Sequence, residues 1–495
     1  MWKDLLVLGS GSAGLLAAIA MRRKMPEVAV RIVRSPEIGV IAVGESTTPN
    51  VPAFLFDYLG ISRRRFYQLA EPTWKLGIHF LWGPRESFNY PFVKQLDAQW
   101  SNLPRPNGYY CEDDFTAINL SSALMDAQKA FARRGNCNVP DIDAGHAFHL
   151  ENAKFVRMLE VLAGDCGIQF IDGKVSGAER GPAGLSAVML EDGRRLKADF
   201  FIDASGFRSE LLGKEMKEPY ISFDKSLFND RAILASWDRT TEPTLPYTTA
   251  ETMDAGWAWR IDHERTINRG YVYSSAHISD EQARDEFAGK NPGARIGDRI
   301  IRFRSGRYER AWVGNVLAVG NACGFVEPLE ATALMLLCWQ CQTFVDLVRY
   351  VSPTPSIRNL FNRTWQLAWD DVRDFLTLHY KINTRLDTPY WKQCRAEADA
   401  SCIGELLEFY DENGPTGFNR YILKNPATQF GIEGYLVMLV GNKVPHRNRH
   451  QPTTAELHFV NQQRAANRAE AAQGLTVPES LACIHHPNWR WFGEK

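Results

Sequence analysis

Two kinds of apolar pattern alternate along the first two thirds of the chain. DLLVLG (4–9) is a short continuous apolar run, the mark of a strand buried on both faces, and the helix-prone LLAAIAMRR (15–23) follows it. VAVRIV (28–33) is strand-like again. The same strand-then-turn figure returns in ADFFIDASGFRSELL (198–212) and in NVLAVGNACGFVEPLEATALMLL (315–337), where a helix follows the turn. GWAWRIDH (256–263) alternates instead: with period 2, Trp257, Trp259 and Ile261 share one face of a strand and make an indole wall, which as a bare pattern reads as core. Beyond about residue 345 the period lengthens. Val372, Phe375, Leu376 and Tyr380 recur at three and four, which predicts a helix laid on the core, and GIEGYLVMLVG (431–441) is either core or the lining of a pocket.

Length adds that the chain holds more than one packed unit, because single cores stop growing near roughly 250 to 300 residues and this chain has 495. Charge excludes an electrostatic nucleic-acid binder, with 57 basic against 58 acidic residues. No secretory signal is expected, and the longest apolar stretches, such as ALMLLCW, fall short of the roughly 20 residues of a membrane span, so a cytoplasmic protein without a membrane partner is expected. Nine scattered cysteines argue against a disulfide framework. The close pair Cys338 and Cys341 lies in an apolar helical run, which reads as core, and no metal site is expected.

Chemistry enters at LLVLGSGSAG (5–14). Gly9, Gly11 and Gly14 stand in GxGxxG spacing between a strand and a helix, with Ser12 and Ala13 completing the turn. The first glycine serves the tight turn, the second the approach of backbone to a pyrophosphate, the third close helix packing, and the helix N-terminus faces the phosphates. A dinucleotide is implied. The acidic residue expected about 20 positions on is replaced by Arg34, so this motif leaves FAD and NADP both open. Two later turns, Ala204-Ser205-Gly206 and the one at Gly320, favour a flavin held by three segments, and no second GxGxxG exists for a nicotinamide. Electrons would then come from elsewhere.

In order along the chain, GSGSAG (9–14), VGESTTP (43–49), WKLGIHF (74–80), FIDASGFR (201–208), GWAWRID (256–262), GYVYSS (270–275), GNACGFVEPLEATA (320–333) and DDVRDFLTLHY (370–380) resemble the flavin-dependent halogenases, in particular the tryptophan halogenase branch. The resemblance spans about residues 5–395. It implies FAD binding by Gly9, Gly11, Ser12, Ala13, Gly14, Arg34, Gly44, Glu45, Ser46, Asp203, Gly206, Gly320 and Asn321. It implies a catalytic lysine at Lys75 and a catalytic glutamate at Glu330, not Glu327. In the family's chemistry reduced flavin and O2 give a flavin hydroperoxide, chloride or bromide attacks it, and hypohalous acid travels to a lysine beside a separate aromatic site. An ammonium can polarise hypohalous acid or form a haloamine, and a carboxylate can stabilise the arenium cation and take its proton. Halide is expected at Thr332 and Ala333, where the family usually has Thr-Gly; alanine at 333 disfavours the positive φ that glycine allows. The indole wall matches the family's Trp-x-Trp-x-Ile-Pro, read as a partition that keeps substrate from the flavin. Proline is replaced by Asp262, whose carboxylate needs water or a partner such as Arg260 or Arg265.

The expected architecture is α/β: a GxGxxG FAD-binding Rossmann-like domain of the single-component flavin monooxygenase type, a mixed β-sheet substrate domain and a helical C-terminal region. Its bounds are expected at 1–210 for the FAD-binding part, 211–310 for the β-rich part, 311–345 for a return to the FAD-binding part, and 346–495 for helices covering the substrate pocket. The leading function is a two-component aromatic halogenase fed with FADH2 by a separate flavin reductase and acting on a small electron-rich aromatic, indole- or tryptophan-like. The alternatives are a flavin-dependent aromatic hydroxylase and a non-catalytic flavin-binding protein.

Overall fold

The computed structural model describes residues 2–36, 44–92, 116, 118–135, 137–142, 145–182, 184–416, 422–423 and 428–491. Contacts divide the chain into two units, one formed by Met1–Glu71, Leu150–Asp224 and Phe303–Asp370, the other by Pro72–His149, Lys225–Arg302 and Asp371–Lys495.

In the first unit the apolar runs become a sheet. Val316–Ala318, Phe200–Asp203, Asp4–Leu8, Ala29–Arg34 and Gln169–Asp172 lie parallel in that order, with Trp312–Val313 antiparallel at one edge. Parallel strands carry covered faces, and Leu5, Leu6, Val7, Phe200, Phe201 and Ile202 are all buried. Leu6, Leu8 and Phe201 pack against Leu185, Val188 and Leu190 of the neighbouring antiparallel strand Gly184–Leu190. Helix Ser12–Lys24 packs on the sheet and against helices Asn152–Asp165 and Thr332–Tyr350. Leu8, Asp203 and Ala318 are level in register, so the turns after them leave the sheet at one carboxyl edge. Ligands of open parallel sheets bind at such an edge.

The stretch 315–337 is more broken than one strand, turn and helix. Two 3₁₀ turns, Gly320–Ala322 and Pro328–Glu330, and the short strand Gly324–Phe325 stand between strand Val316–Ala318 and helix Thr332–Tyr350. The break before the helix has two causes: proline fixes φ at 328, and Ala331 sits at φ 56, a left-handed conformation. Cys338 and Cys341 are buried inside that helix, and burial pushes the Cys341 thiol up to about 12.

In the second unit a mixed sheet runs in the order Arg295–Ile296, Arg231–Asp238, Thr266–Tyr273, Gly256–Asp262, Thr248–Met253, Gly77–Leu81 and Phe88–Pro91, with Ile301–Arg302 also paired to Arg231–Asp238. Its pairs are antiparallel except Thr248–Met253 with Gly77–Leu81. Ala258, Tyr271, Tyr273, Ile233 and Met253 fill one face beneath helix Asp280–Lys290, whose Ala283 and Phe287 reach into them. Trp257, Trp259 and Ile261 take the opposite face, as period 2 requires. Gly270, level with Trp259, makes room for the indole: a Cβ there would stand 2.0 Å from its ring. The segment 431–441 is a helix whose residues from Ile432 onward are buried, Glu433 excepted. No helix among the described residues is long and apolar enough to cross a membrane.

Candidate active site

At the carboxyl edge of the parallel sheet, three glycine-bearing turns meet. Gly9 has φ 111, and a Cβ on it would stand 2.4 Å from the Ala204 carbonyl oxygen. A Cβ on Gly14 would stand 1.9 Å from the Gly9 carbonyl oxygen. Gly11, at the N-terminus of helix Ser12–Lys24, has open space where its Cβ would be. The turn is thus tight at its first glycine, packed at its third and open at its second, where a phosphate needs access to backbone N–H groups. A Cβ on Gly320 would meet the Ala13 methyl at 2.8 Å, so the third turn abuts the first. Ser12 Oγ donates to Asn152 Oδ1 at 3.2 Å. These residues fit a dinucleotide.

Asp203 is wholly buried and its carboxylate serves the chain around it: Oδ1 accepts from Ser205 N at 3.1 Å and Ser205 Oγ at 2.5 Å, Oδ2 from Leu211 N at 2.7 Å and Leu212 N at 2.8 Å. Burial raises its pKa and the four hydrogen bonds oppose the rise. Its visible work is to fix the turn that carries Ser205 and Gly206. Arg34 lies with its Nε 2.6 Å from Asp172 Oδ1 and its guanidinium over the Phe170 ring. The arginine that stands where the motif's acid is expected is thus paired with Asp172, level with it on the next strand.

Glu45 lies in the strand Gly44–Ser46; the residue keeps some surface, but its carboxyl group is enclosed, and burial pushes it up to about 7. A folded-state pKa above the unfolded one means that this group's contribution is intact below about pH 4.5 and is lost as the pH rises through 7. Glu45→Gln is therefore expected to gain on the wild type by about 3 kcal/mol at most between pH 5 and pH 8, read from denaturant unfolding at both values. An equal difference at the two pH values would sink this.

Glu330 ends the turn Pro328–Glu330 and is buried. Ala331 is the N-cap of the next helix and offers it no side-chain cap; Thr332 is buried with no hydrogen-bond partner on Oγ1 among the described residues, and Ala333 is exposed. The left-handed residue is Ala331, whereas Ala333 is inside the helix. Alanine at 333 consequently carries no backbone strain, contrary to the concern its replacement of glycine raises.

In the second unit, Lys75 ends the strand Thr73–Lys75 and has no exposed surface; its Nζ lies 4.9 Å from the centroid of the Phe92 ring. Trp257 and Trp259 are buried with ring centroids 5.9 Å apart. Asp262, also wholly buried, is two residues beyond Arg260 in the same strand and shares its face, away from the indoles. Its carboxylate accepts from Arg239 Nη2 at 2.7 Å, Arg260 Nε at 3.0 Å and Arg260 Nη2 at 3.1 Å. Arg260 was readable from its i,i+2 spacing. Arg239, on a distant segment, was not, and Arg265 is not among the partners.

The model of the family described as tryptophan halogenase matches residues 4–457. The chain belongs to the tryptophan halogenase family. It is 30% identical to the tryptophan 7-halogenase KtzQ of Kutzneria sp. (strain 744), over 82% of this chain and 81% of that one. Among solved structures it is similar to MibH, a lanthipeptide tryptophan 5-halogenase, at 37% identity and TM-score 0.88, covering 98% of this chain and 93% of that one. It is similar also to BrvH, a flavin-dependent halogenase from Brevundimonas sp. BAL3, at 25% identity and TM-score 0.81, covering 97% and 99%. An aromatic halogenase that depends on flavin is thereby favoured over the hydroxylase and the non-catalytic flavin protein. The α/β architecture of these halogenases is the one described above.

Proposed function

We propose that this halogenase takes reduced FAD from a separate reductase and places chloride or bromide on an electron-rich indole, with Lys75 and Glu330 as its catalytic residues. When bound, the reduced flavin supplies, with O2, the oxidising equivalent that turns halide into hypohalous acid. Gly9, Gly11, Ser12, Ala13 and Gly14 would take its pyrophosphate at the helix N-terminus, with Gly206, Gly320 and Asn321 at the same edge, and Gly44, Glu45 and Ser46 would complete the flavin site. The proposed halide position uses the N–H groups of Thr332 and Ala333 and the Thr332 hydroxyl, at a helix start that favours anions. Product formation that does not depend on added chloride or bromide would refute it.

The observation that carries the proposal is Lys75. Lysine is almost never fully buried unless it is paired, and this one has no surface at all. A compact three-donor cation held out of water can hydrogen-bond hypohalous acid and present its halogen to a ring. Glu330 would stabilise the ring cation and remove its proton, a contribution of about 10²- to 10⁴-fold. Trp257, Trp259 and Ile261 would act as the partition, without touching the chemistry.

One assay tests the reading. The protein, a flavin reductase, NADH, FAD, O2 and halide are supplied with tryptophan, tryptophan-containing peptides, simple indoles and phenols, and the product masses are read. Peptides belong in the panel because of the similarity to MibH. A halogen isotope pattern supports the proposal; a gain of oxygen alone would overturn it. Cofactor binding has its own test. Gly11→Ala is expected to cost about 1 kcal/mol in the flavin-free chain, the loss of a good N-cap residue, yet to weaken FAD binding in a fluorescence titration. Unchanged FAD affinity would remove the phosphate from this turn.

A further inference from the structure

Buried side chains that play no part so far surround the strand of Lys75. Thr73–Lys75 pairs antiparallel with Ala147–His149 of the next strand, Thr73 opposite His149 and Lys75 opposite Ala147. Side chains two apart share a face, so Lys75 and His149 are diagonal neighbours, at a spacing of about 7–8 Å that long side chains bridge. Both are wholly buried. His149 Nε2 lies 2.9 Å from Thr248 Oγ1. Thr248 is two residues from Ala250, which pairs with Trp259, so it stands on the indole face of the large sheet. Thr73 Oγ1 donates to the Asp262 carbonyl at 2.5 Å, and Leu76 N to the Pro246 carbonyl at 2.8 Å. The lysine strand is therefore tied at 246 and 262, and its neighbouring strand at 248 through His149, which stands diagonal to Lys75 on the same face.

The charged and titratable groups that act on His149 are Lys75 and His263, both buried; Asp262 gives its carboxylate to Arg239 and Arg260 and its carbonyl to this side. Burial first, then the charges of Lys75 and His263, hold the imidazole well below its ordinary range, against the pull of the Asp262 carbonyl. Two cations so close in a buried site repel, and the imidazole, the weaker base, yields its proton first.

We propose that His149, braced by Thr248, is a positioning residue for Lys75: it fixes the amine beside the indole face. The inference rests on the reading of Lys75 given above. Geometry of this kind matters because a misplacement of about 1 Å in a reacting group can cost 10²-fold.

The test has two readouts. In the halogenation assay, His149→Gln and Thr248→Val are each expected to lower kcat by about 10- to 10²-fold, with KM for the aromatic substrate and the reoxidation rate of protein-bound reduced flavin unchanged. In the flavin-free chain, the His149 imidazole signal, recognised by its displacement in Thr248→Val, is titrated in wild type and in Lys75→Met. Loss of the lysine charge is expected to raise its titration point, and an unmoved point overturns the coupling. Wild-type kcat in both His149→Gln and Thr248→Val, or a fall in kcat matched by an equal fall in flavin reoxidation, overturns the positioning role. Should His149→Gln fail to fold, Thr248→Val, which keeps the imidazole, decides alone. Full halogenation by Lys75→Met would instead sink the role of the lysine itself.

Discussion

Lys75→Ala is expected to abolish halogenated product while flavin reoxidation and O2 consumption continue. Lys75 is not among the proposed flavin residues, so the oxidative half of the reaction is not expected to need the amine. The half that does need it is transfer of halogen to the ring. A positioned donor at a developing charge is worth about 10²- to 10³-fold in other enzymes, and a group that carries the electrophile itself should be worth at least that. Truncating a wholly buried side chain also leaves a void, which costs stability on its own account. Lys75→Met keeps the volume and removes only the charge and the donors, so the two variants should lose product equally and differ in thermal midpoint. Oxidising equivalents that no longer reach substrate should appear as hydrogen peroxide or as free hypohalous acid, captured by a halogen-accepting dye. Full product formation by either variant would end the assignment.

Strand Asp4–Leu8, helix Ser12–Lys24 and strand Ala29–Arg34 were legible because three glycines, a covered parallel strand and a helix start are local features with local causes. The alternation of Trp257, Trp259 and Ile261 was legible for the same reason, since period 2 is set by one strand alone. The break around 328–331 was not, because Ala331 has no side chain that announces a left-handed residue. Nor was the placing of His149 beside Lys75 and on Thr248: it depends on the antiparallel register that sets Thr73 opposite His149 and Lys75 opposite Ala147, which no local spacing encodes. Asp203, which the family resemblance places among the flavin residues, also holds its own turn: its oxygens accept from Ser205, Leu211 and Leu212, partners that local spacing does not announce.

Asp262→Ala is expected to cost about 3 kcal/mol of stability, because it strips a wholly buried carboxylate from between two guanidinium groups that cannot follow it into water. Both arginines are themselves mostly buried, with side chains 10% and 23% exposed. Arg239 would keep hydrogen bonds to the carbonyl oxygens of Glu242, Pro243 and His263, which limits the loss, whereas Arg260 would keep the unpaired charge. Placing the uncharged Asp262→Asn in the series separates charge from hydrogen bonding, and it should fall between wild type and alanine. The side chain points away from the indole face, so substrate oxygenation is not expected to rise in either variant. What should change is the fastening of the wall to the lysine strand, since the Asp262 carbonyl accepts from Thr73 and a loosened strand end shifts that bond. Restoring the family's proline is expected to be no better than alanine: Asp262→Pro removes the same carboxylate and fixes φ in an extended strand. Denaturant unfolding of the four proteins ranks them, and a proline variant as stable as wild type would mean that the two arginines are indifferent to the charge they enclose.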